Sequence, residues 1–250
     1  MKKIFIAIAL SVLVVLSSCQ QEYALPFDEI MNAETVTPIA EERVPFEGFE
    51  EYMQLYKEDS TQMGFSGAIV RLKPMKRTQY MILETEDNGR RSLDGKTMVT
   101  VEILDIFDIQ GDVDLSVGDI FDIPQSYYLQ PKDESGFEEM FVALGGTLIK
   151  ENGITTSVSL DDGTYEYRIL NIQDHQLMLW SNILPLSEEM EYYAFLWFKD
   201  DGVSFGQIVP AETSDISTLD VYQNIHIDPD LVEIMYGLHE YAEECQLDRD

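Results

Sequence analysis

The chain has 250 residues, with 47 Asp and Glu against 16 Lys and Arg, and a formal charge of −31. A surface this acidic repels DNA, RNA and anionic headgroups, which argues against a nucleic-acid-binding function. At 45% hydrophobic and 11% aromatic residues, the chain carries enough apolar side chain to bury a real core, which argues against disorder.

The first element is a leader. Lys2 and Lys3 open the chain, and Ile4 to Leu16 is apolar apart from Ser11. That run has the length of a signal-peptide core and falls short of the ~20 residues of a membrane-spanning helix. It closes on Leu16-Ser17-Ser18-Cys19. This stretch resembles the lipobox of bacterial lipoprotein precursors. The resemblance implies that residues 1–18 are removed, that the Cys19 thiol is diacylated, and that the lipid anchors the mature chain to a membrane, at the cell surface or the periplasmic face. Gln20 stands where lipoproteins retained in the inner membrane of diderms carry aspartate. With Cys19 committed to lipid, Cys245 is the remaining thiol, so neither an intrachain disulfide nor a cysteine-rich metal site is expected.

Residues 19–43 contain Pro26, Pro38 and several acids without sustained periodicity, and are expected to form a lipidated tether. Residues 44–250 are expected to form a single β-rich extracytoplasmic domain. Phe49, Tyr52, Met53 and Tyr56 fall at helical spacing, with Glu50 and Glu51 on other faces, which predicts a short core-facing helix. From Gly64 the period changes to two. Strands are predicted over Phe65–Leu72, Gln79–Glu86, Thr97–Ile109, Ile120–Ile123 and Phe141–Ile149, the last with a bulge at Gly145-Gly146. Thr164–Ile172, Leu177–Trp180, Tyr192–Phe198 and Val203–Val209 follow, with turns at Asp161-Asp162-Gly163 and Asp200-Asp201-Gly202. The chain closes on an amphipathic helix at about 229–247. Asp228 is its expected N-cap, Pro229 its first residue, and Leu231, Ile234, Met235, Leu238, Ala242 and Cys245 its apolar stripe.

Many short strands with regular turn signals predict a mainly β, α+β fold: an antiparallel barrel or sandwich with a short N-terminal helix and a C-terminal amphipathic helix. From Phe49 to Ile149 the order is helix, strand, long central strand and a Val117-Gly118-Asp119 turn. That order is similar to small secreted barrels of the OB type, which bind ligands along one strand face and its loops.

Candidate chemistry is sparse. Gly64-Phe65-Ser66-Gly67 approaches a nucleophile elbow, but Ala68 stands where the second glycine is needed. His239-Glu240-Tyr241-Ala242-Glu243 misses a zinc-protease motif by its second histidine, leaving His239 expected to face solvent, with only His175 and His226 elsewhere. Asp105, Asp108, Asp112, Asp114, Asp119 and Asp122 crowd one turn. Turn-forming aspartates are the preferred reading, and a weak calcium site at Asp112 and Asp114 is the alternative; Val117 and Ile123 break an EF-hand pattern. Arg71, Lys73, Lys76, Arg77, Arg90, Arg91 and Lys96 form a basic island on this acidic chain. Arg71–Arg77 is expected at one end of the first hairpin and Arg90–Lys96 at the opposite end; charge offset is the preferred reading of the island, with Arg90 and Arg91 as its candidate binding residues. Tyr127, Tyr128, Trp180, Tyr192, Tyr193 and Trp197 read as core and wall residues before a sugar platform.

No nucleophile–base pair or metal constellation stands out. The leading expectation is therefore a lipid-anchored, non-enzymatic protein that binds a ligand, or a protein or envelope partner, without a cofactor and without nucleic acid. The alternatives are an envelope glycan hydrolase using paired carboxylates and a calcium-dependent adhesion or sensor module.

Overall fold

The computed structural model describes residues 27–36, 48–62, 66–87, 89–179, 184–199, 202–222 and 229–249. The leader, Cys19, Trp180, His226, Asp228 and the Asp200-Asp201 pair lie outside the described residues.

Among the described residues, three sheets and four helices make a mainly β, α+β architecture. The chain runs α1 (Phe27–Met31), β1 (Glu34–Val36), α2 (Phe49–Gln62), β2 (Ser66–Thr85), β3 (Arg91–Gln110), β4 (Ile120–Gln125) and β5 (Tyr127–Pro131). It continues through α3 (Glu134–Ala143), β6 (Thr147–Glu151), β7 (Ile154–Ser159), β8 (Gly163–Glu166), β9 (His175–Leu179), β10 (Tyr192–Lys199), β11 (Gly202–Pro210) and α4 (Pro229–Leu247). The main sheet has the order β11-β10-β2-β3-β4, with β8 added on β2; β1-β9-β5 and β6-β7 form the other two. At the open side of the main sheet, β4 and β11 come close, and the rings of Phe121 and Phe198 meet at 6.4 Å. No ladder joins these edges among the described residues, so the sheet is strongly coiled and open, not a closed barrel.

The β2–β3 hairpin is the frame. Its register runs from Gly67↔Gln110 to Thr85↔Arg91. Strands of 20 residues reach roughly 65 Å if straight, too far for one core. The hairpin accordingly serves two. Ala68, Ile69, Val70 and Leu72 of β2, with Val99, Val101 and Ile103 of β3, join α2, α4, β10 and β11 in the first core. Met81 joins Ile30, Tyr127, Tyr128, Leu129, Met140 and Leu177 in the second.

The helices follow from their stripes. Tyr52, Met53 and Tyr56 of α2 are buried, as are Ile234, Met235, Leu238 and Ala242 of α4. The ring of Phe49 lies on Gly237, where a Cβ would stand 2.1 Å from it, so the two helices meet where α4 has no side chain.

Several expectations are corrected. Residues 27–36, expected in an irregular tether, pack into the domain: Phe27, Ile30 and Met31 are buried, and β1 pairs in parallel with β9. Burial of three apolar residues within five outweighs the polar, Pro-containing surroundings. The two strands expected at 65–72 and 79–86 are one, joined through a bulge at Met75, where Pro74 opposes Val101 and Lys76 opposes Thr100; the pairing with β3 also shifts register after Ile69 and after Arg71. Arg71–Arg77 therefore lies mid-strand, not at a hairpin end. The strand expected at Phe141–Ile149 is the end of α3 followed by β6. Phe137, Met140, Phe141 and Leu144 have helical spacing, Asp133 caps the Gly136 N–H at 2.8 Å, and Gly145 and Gly146 donate to Val142 and Phe141 in a Schellman ending. The strand expected at Thr164–Ile172 stops at Glu166. His239 is buried rather than solvent-facing, its ring edge-on to Tyr193 at 5.4 Å, and Cys245 is only half-buried.

Candidate functional site

Strand pairing creates the site. One edge of β2 is covered along its length by β3. On the other edge, β10 pairs from Ser66 to Leu72, and β8 pairs from Tyr80 to Leu83. Between them, Lys73–Thr78 has no strand partner on that side among the described residues. The Met75 bulge falls in this gap and changes which side chains point inward: Ala68, Val70 and Leu72 before it, Arg77, Met81 and Leu83 after it. A basic residue is thereby turned toward the interior, at the seam between the two cores.

A cleft of about 370 Å³ opens there, a volume typical of small-molecule sites. Its walls come from β2 between Met75 and Tyr80, Thr97 of β3, Tyr127 and Leu129 of β5, Ile30 of α1, and Glu166–Ile169 at the end of β8 and just beyond it.

Arg77 is the central polar group, with 8% of its surface exposed. Its Nη2 donates to the Leu186 carbonyl at 2.9 Å and pairs with Glu188. The guanidinium lies 5.0 Å from the centre of the Phe27 ring. Its Nε and Nη1 are buried with no hydrogen-bond partner among the described residues, and so is the Tyr127 hydroxyl. Burial pushes the Tyr127 hydroxyl pKa up, the charge of Arg77 opposes that rise, Glu188 adds to it, and the neighbouring Thr97 side chain lowers it. The phenol therefore remains a neutral donor at neutral pH. The rest of the frame is satisfied. Gln79 Nε2 donates to the Leu129 carbonyl and its Oε1 accepts from the Leu129 N–H, both at 2.7 Å, clamping β5 to β2. Thr97 Oγ1 donates to the Tyr127 carbonyl at 2.8 Å.

Charge around the cleft runs against the rest of the chain. Lys76, Arg77 and Arg168 line it with a single carboxylate, Glu166, which lies 3.1 Å from Arg168. Behind the wall, Tyr167 and His175 form a buried pair at 2.8 Å. His175 Nδ1 faces the Asn171 carbonyl at 2.9 Å. A carbonyl only accepts, so Nδ1 carries the proton and Nε2 of the neutral ring accepts from Tyr167. Burial lowers the pKa of His175 and raises that of Tyr167 to about 12.

The residues singled out from sequence are dispersed. Asp112 and Asp114 are exposed in the β3–β4 loop. Asp119 accepts the Ser116 N–H at 2.7 Å, Asp122 the Thr100 hydroxyl at 2.5 Å, and Asp105 binds Arg249 at 2.8 Å. Among the described residues, no three His, Cys, Asp or Glu side chains converge to hold a metal ion. Arg91 donates to the Val158 carbonyl at 3.4 Å and to the Leu160 carbonyl, and lies 3.6 Å from Asp162, tying the β7–β8 connection to the hairpin end. Arg90 sits beside it, exposed at the same turn and far along β2 from Arg77. Tyr127, Tyr128, Tyr192 and Tyr193 are buried rather than displayed on a platform. From sequence alone, Arg77 reads as an offset charge and Tyr127 as a wall residue. The signal that joins them is Pro74 inside an otherwise alternating strand, which marks the phase change.

No family model, no curated protein and no solved structure matches the chain. No helix among the described residues is long and apolar enough to cross a membrane.

Proposed function

We propose that this protein is a lipid-anchored, non-enzymatic binding module of the bacterial cell envelope, held to its membrane through Cys19, and that the seam cleft is where it takes its ligand. The leader and Leu16-Ser17-Ser18-Cys19 support the anchor. The cleft itself supports the binding role: buried donors on Arg77 and Tyr127 that the fold leaves without a partner, beside an apolar wall. Burying such groups unpaired costs about 1–3 kcal/mol each, and a fold that keeps them is organised for something that pairs with them. A paired-carboxylate hydrolase gains no support from this cleft, whose one lining carboxylate is already beside Arg168.

Two measurements test the proposal. Metabolic labelling with palmitate should mark the wild-type chain and not Cys19→Ser, which should move to the soluble fraction; label on the variant would sink the anchor. Ligand-observed NMR with a fragment mixture should give binders to the full chain that Met75→Trp blocks, because Met75 is exposed at the cleft. Binders indifferent to that substitution would place the ligand site elsewhere.

A further inference from the structure

We infer that the seam cleft takes a small amphipathic oxyanion, an organic carboxylate or phosphate whose charged head meets Arg77 and Tyr127 and whose body lies on apolar side chains. The inference rests on the cleft being the ligand site, and names what that site selects.

Three observations converge. Among the described residues that line the cleft, the buried side-chain polar atoms without a hydrogen-bond partner are Nε and Nη1 of Arg77 and the hydroxyl of Tyr127. A guanidinium offers donors alone and a phenol can donate beside it, so the complementary ligand group is an acceptor. An acceptor with negative charge makes the stronger bond to a guanidinium. The lining charge agrees: three cations and one carboxylate, on a chain where acids outnumber bases 47 to 16. Glu188 engages Nη2 of Arg77 only, and holds the guanidinium in place without covering its other nitrogens. Finally, Ile30, Met75, Leu129 and Ile169 line the same space, so the head is accompanied by an apolar body. A volume of about 370 Å³ suits a small molecule and is far too little for a polymer.

The test uses the full lipidated chain in detergent, titrated with benzoate, with benzyl alcohol as its neutral counterpart, and with inorganic phosphate as a head without a body. Benzoate should bind at least about tenfold more tightly than benzyl alcohol, the effect of a charge-assisted hydrogen bond in a buried site. Phosphate alone should compete weakly. Arg77 also holds Leu186 and Glu188, and its replacement risks the fold, so two other variants carry the test. Tyr127→Phe removes a buried hydroxyl beside Thr97, and should weaken benzoate about three- to tenfold. Met75→Glu places a carboxylate at an exposed lining position and should weaken benzoate at least about tenfold more than it weakens benzyl alcohol. Equal binding of benzoate and benzyl alcohol, both lost in Met75→Trp, would overturn the anion and leave the cleft standing. Binding of benzoate that ignores all three variants, or no binding of either probe at tens of millimolar, would overturn the cleft as the site as well.

Discussion

The two cores on the β2–β3 hairpin differ in kind. The first is dominated by aromatic and aliphatic side chains, and the buried hydroxyls of Tyr192 and Tyr222 within it bond to each other at 2.7 Å. Phe195 is completely buried, and its ring meets those of Tyr52 at 4.8 Å, Tyr56 at 5.3 Å and Phe49 at 6.3 Å, while Ile69, Val70, Leu72, Val101 and Ile103 fill the strands below. The second mixes Met81, Leu129 and Leu177 with buried polar groups: Thr97, Tyr127, Tyr167 and His175. Its periphery, α3 and the β6–β7 hairpin, leaves Val142, Ile149 and Ile154 exposed. Apolar packing is non-directional and yields stability; buried polar groups are directional and yield selectivity when they are left something to bind. The division of labour follows: the first core holds the hairpin, and the second shapes the cleft against it.

The largest effect should come from emptying the first core. Phe195→Ala removes the ring on which three aromatics converge, and should cost about 3–5 kcal/mol in chemical denaturation. A loss below about 1 kcal/mol would mean that the first core does not dominate. In the second core the comparison is sharpest at Gly95. The Tyr128 ring lies where a Cβ would stand, 2.3 Å away, so Gly95→Ala should cost about 1–3 kcal/mol by forcing the ring aside. Tyr128→Leu in the same chain should recover part of that loss. If Gly95→Ala proved neutral, the second core would be far more yielding than its buried rings suggest.

At the seam, Arg77→Met keeps the side-chain length and removes the charge. It leaves the Leu186 carbonyl and Glu188 without their guanidinium. Because Glu188 is partly exposed and water can reach it, the cost should be about 1–2 kcal/mol, below that of a fully buried broken pair. Urea midpoints of Arg77→Met and of the double variant Arg77→Met/Glu188→Gln would separate the ion pair from the carbonyl bond. Equal midpoints for the two would assign the whole cost to Leu186.

The first core was legible in the sequence and the seam was not, for a physical reason. Alternation in Thr97–Ile103 and the helical stripes of Phe49–Tyr56 and Ile234–Ala242 report side chains that repeat one environment, and all three are buried as that pattern implies. Met75 breaks the repeat. A bulge of one residue reassigns every later side chain to the other face, so Arg77 looks like surface charge until the register is known. Phe27, Ile30 and Met31 were hidden differently: five residues are too short a run for periodicity to show, and their burial depends on β9 and Tyr222, remote in sequence. Phe137–Leu144 carried its helical spacing openly, but Gly145-Gly146 ends a helix as readily as it bends a strand.

The smallest predicted effect tests the polar character of the second core through pH. His175 is buried, its Nδ1 donating to Asn171 and its Nε2 accepting from Tyr167. Desolvation lowers its pKa below the ordinary 6.5, with the Asn171 carbonyl and Asp174 pulling the other way and Lys132 adding to the fall. The unfolded chain therefore takes up the proton first as pH drops. Between about 6.5 and the lower folded value the unfolded state binds more protons, so stability present above pH 6.5 is lost on acidification through that window. Outside the window the two states titrate together and His175 contributes no slope. His175→Gln keeps an acceptor for Tyr167 and removes the titration, so its urea midpoint should fall less than that of the wild type between pH 7 and pH 5. The carboxylates titrate lower and act on both chains alike, which makes the difference between the two curves specific to the ring. Parallel curves would mean that the imidazole is solvated in the folded state, and that the polar half of the second core is open to water rather than sealed behind the cleft.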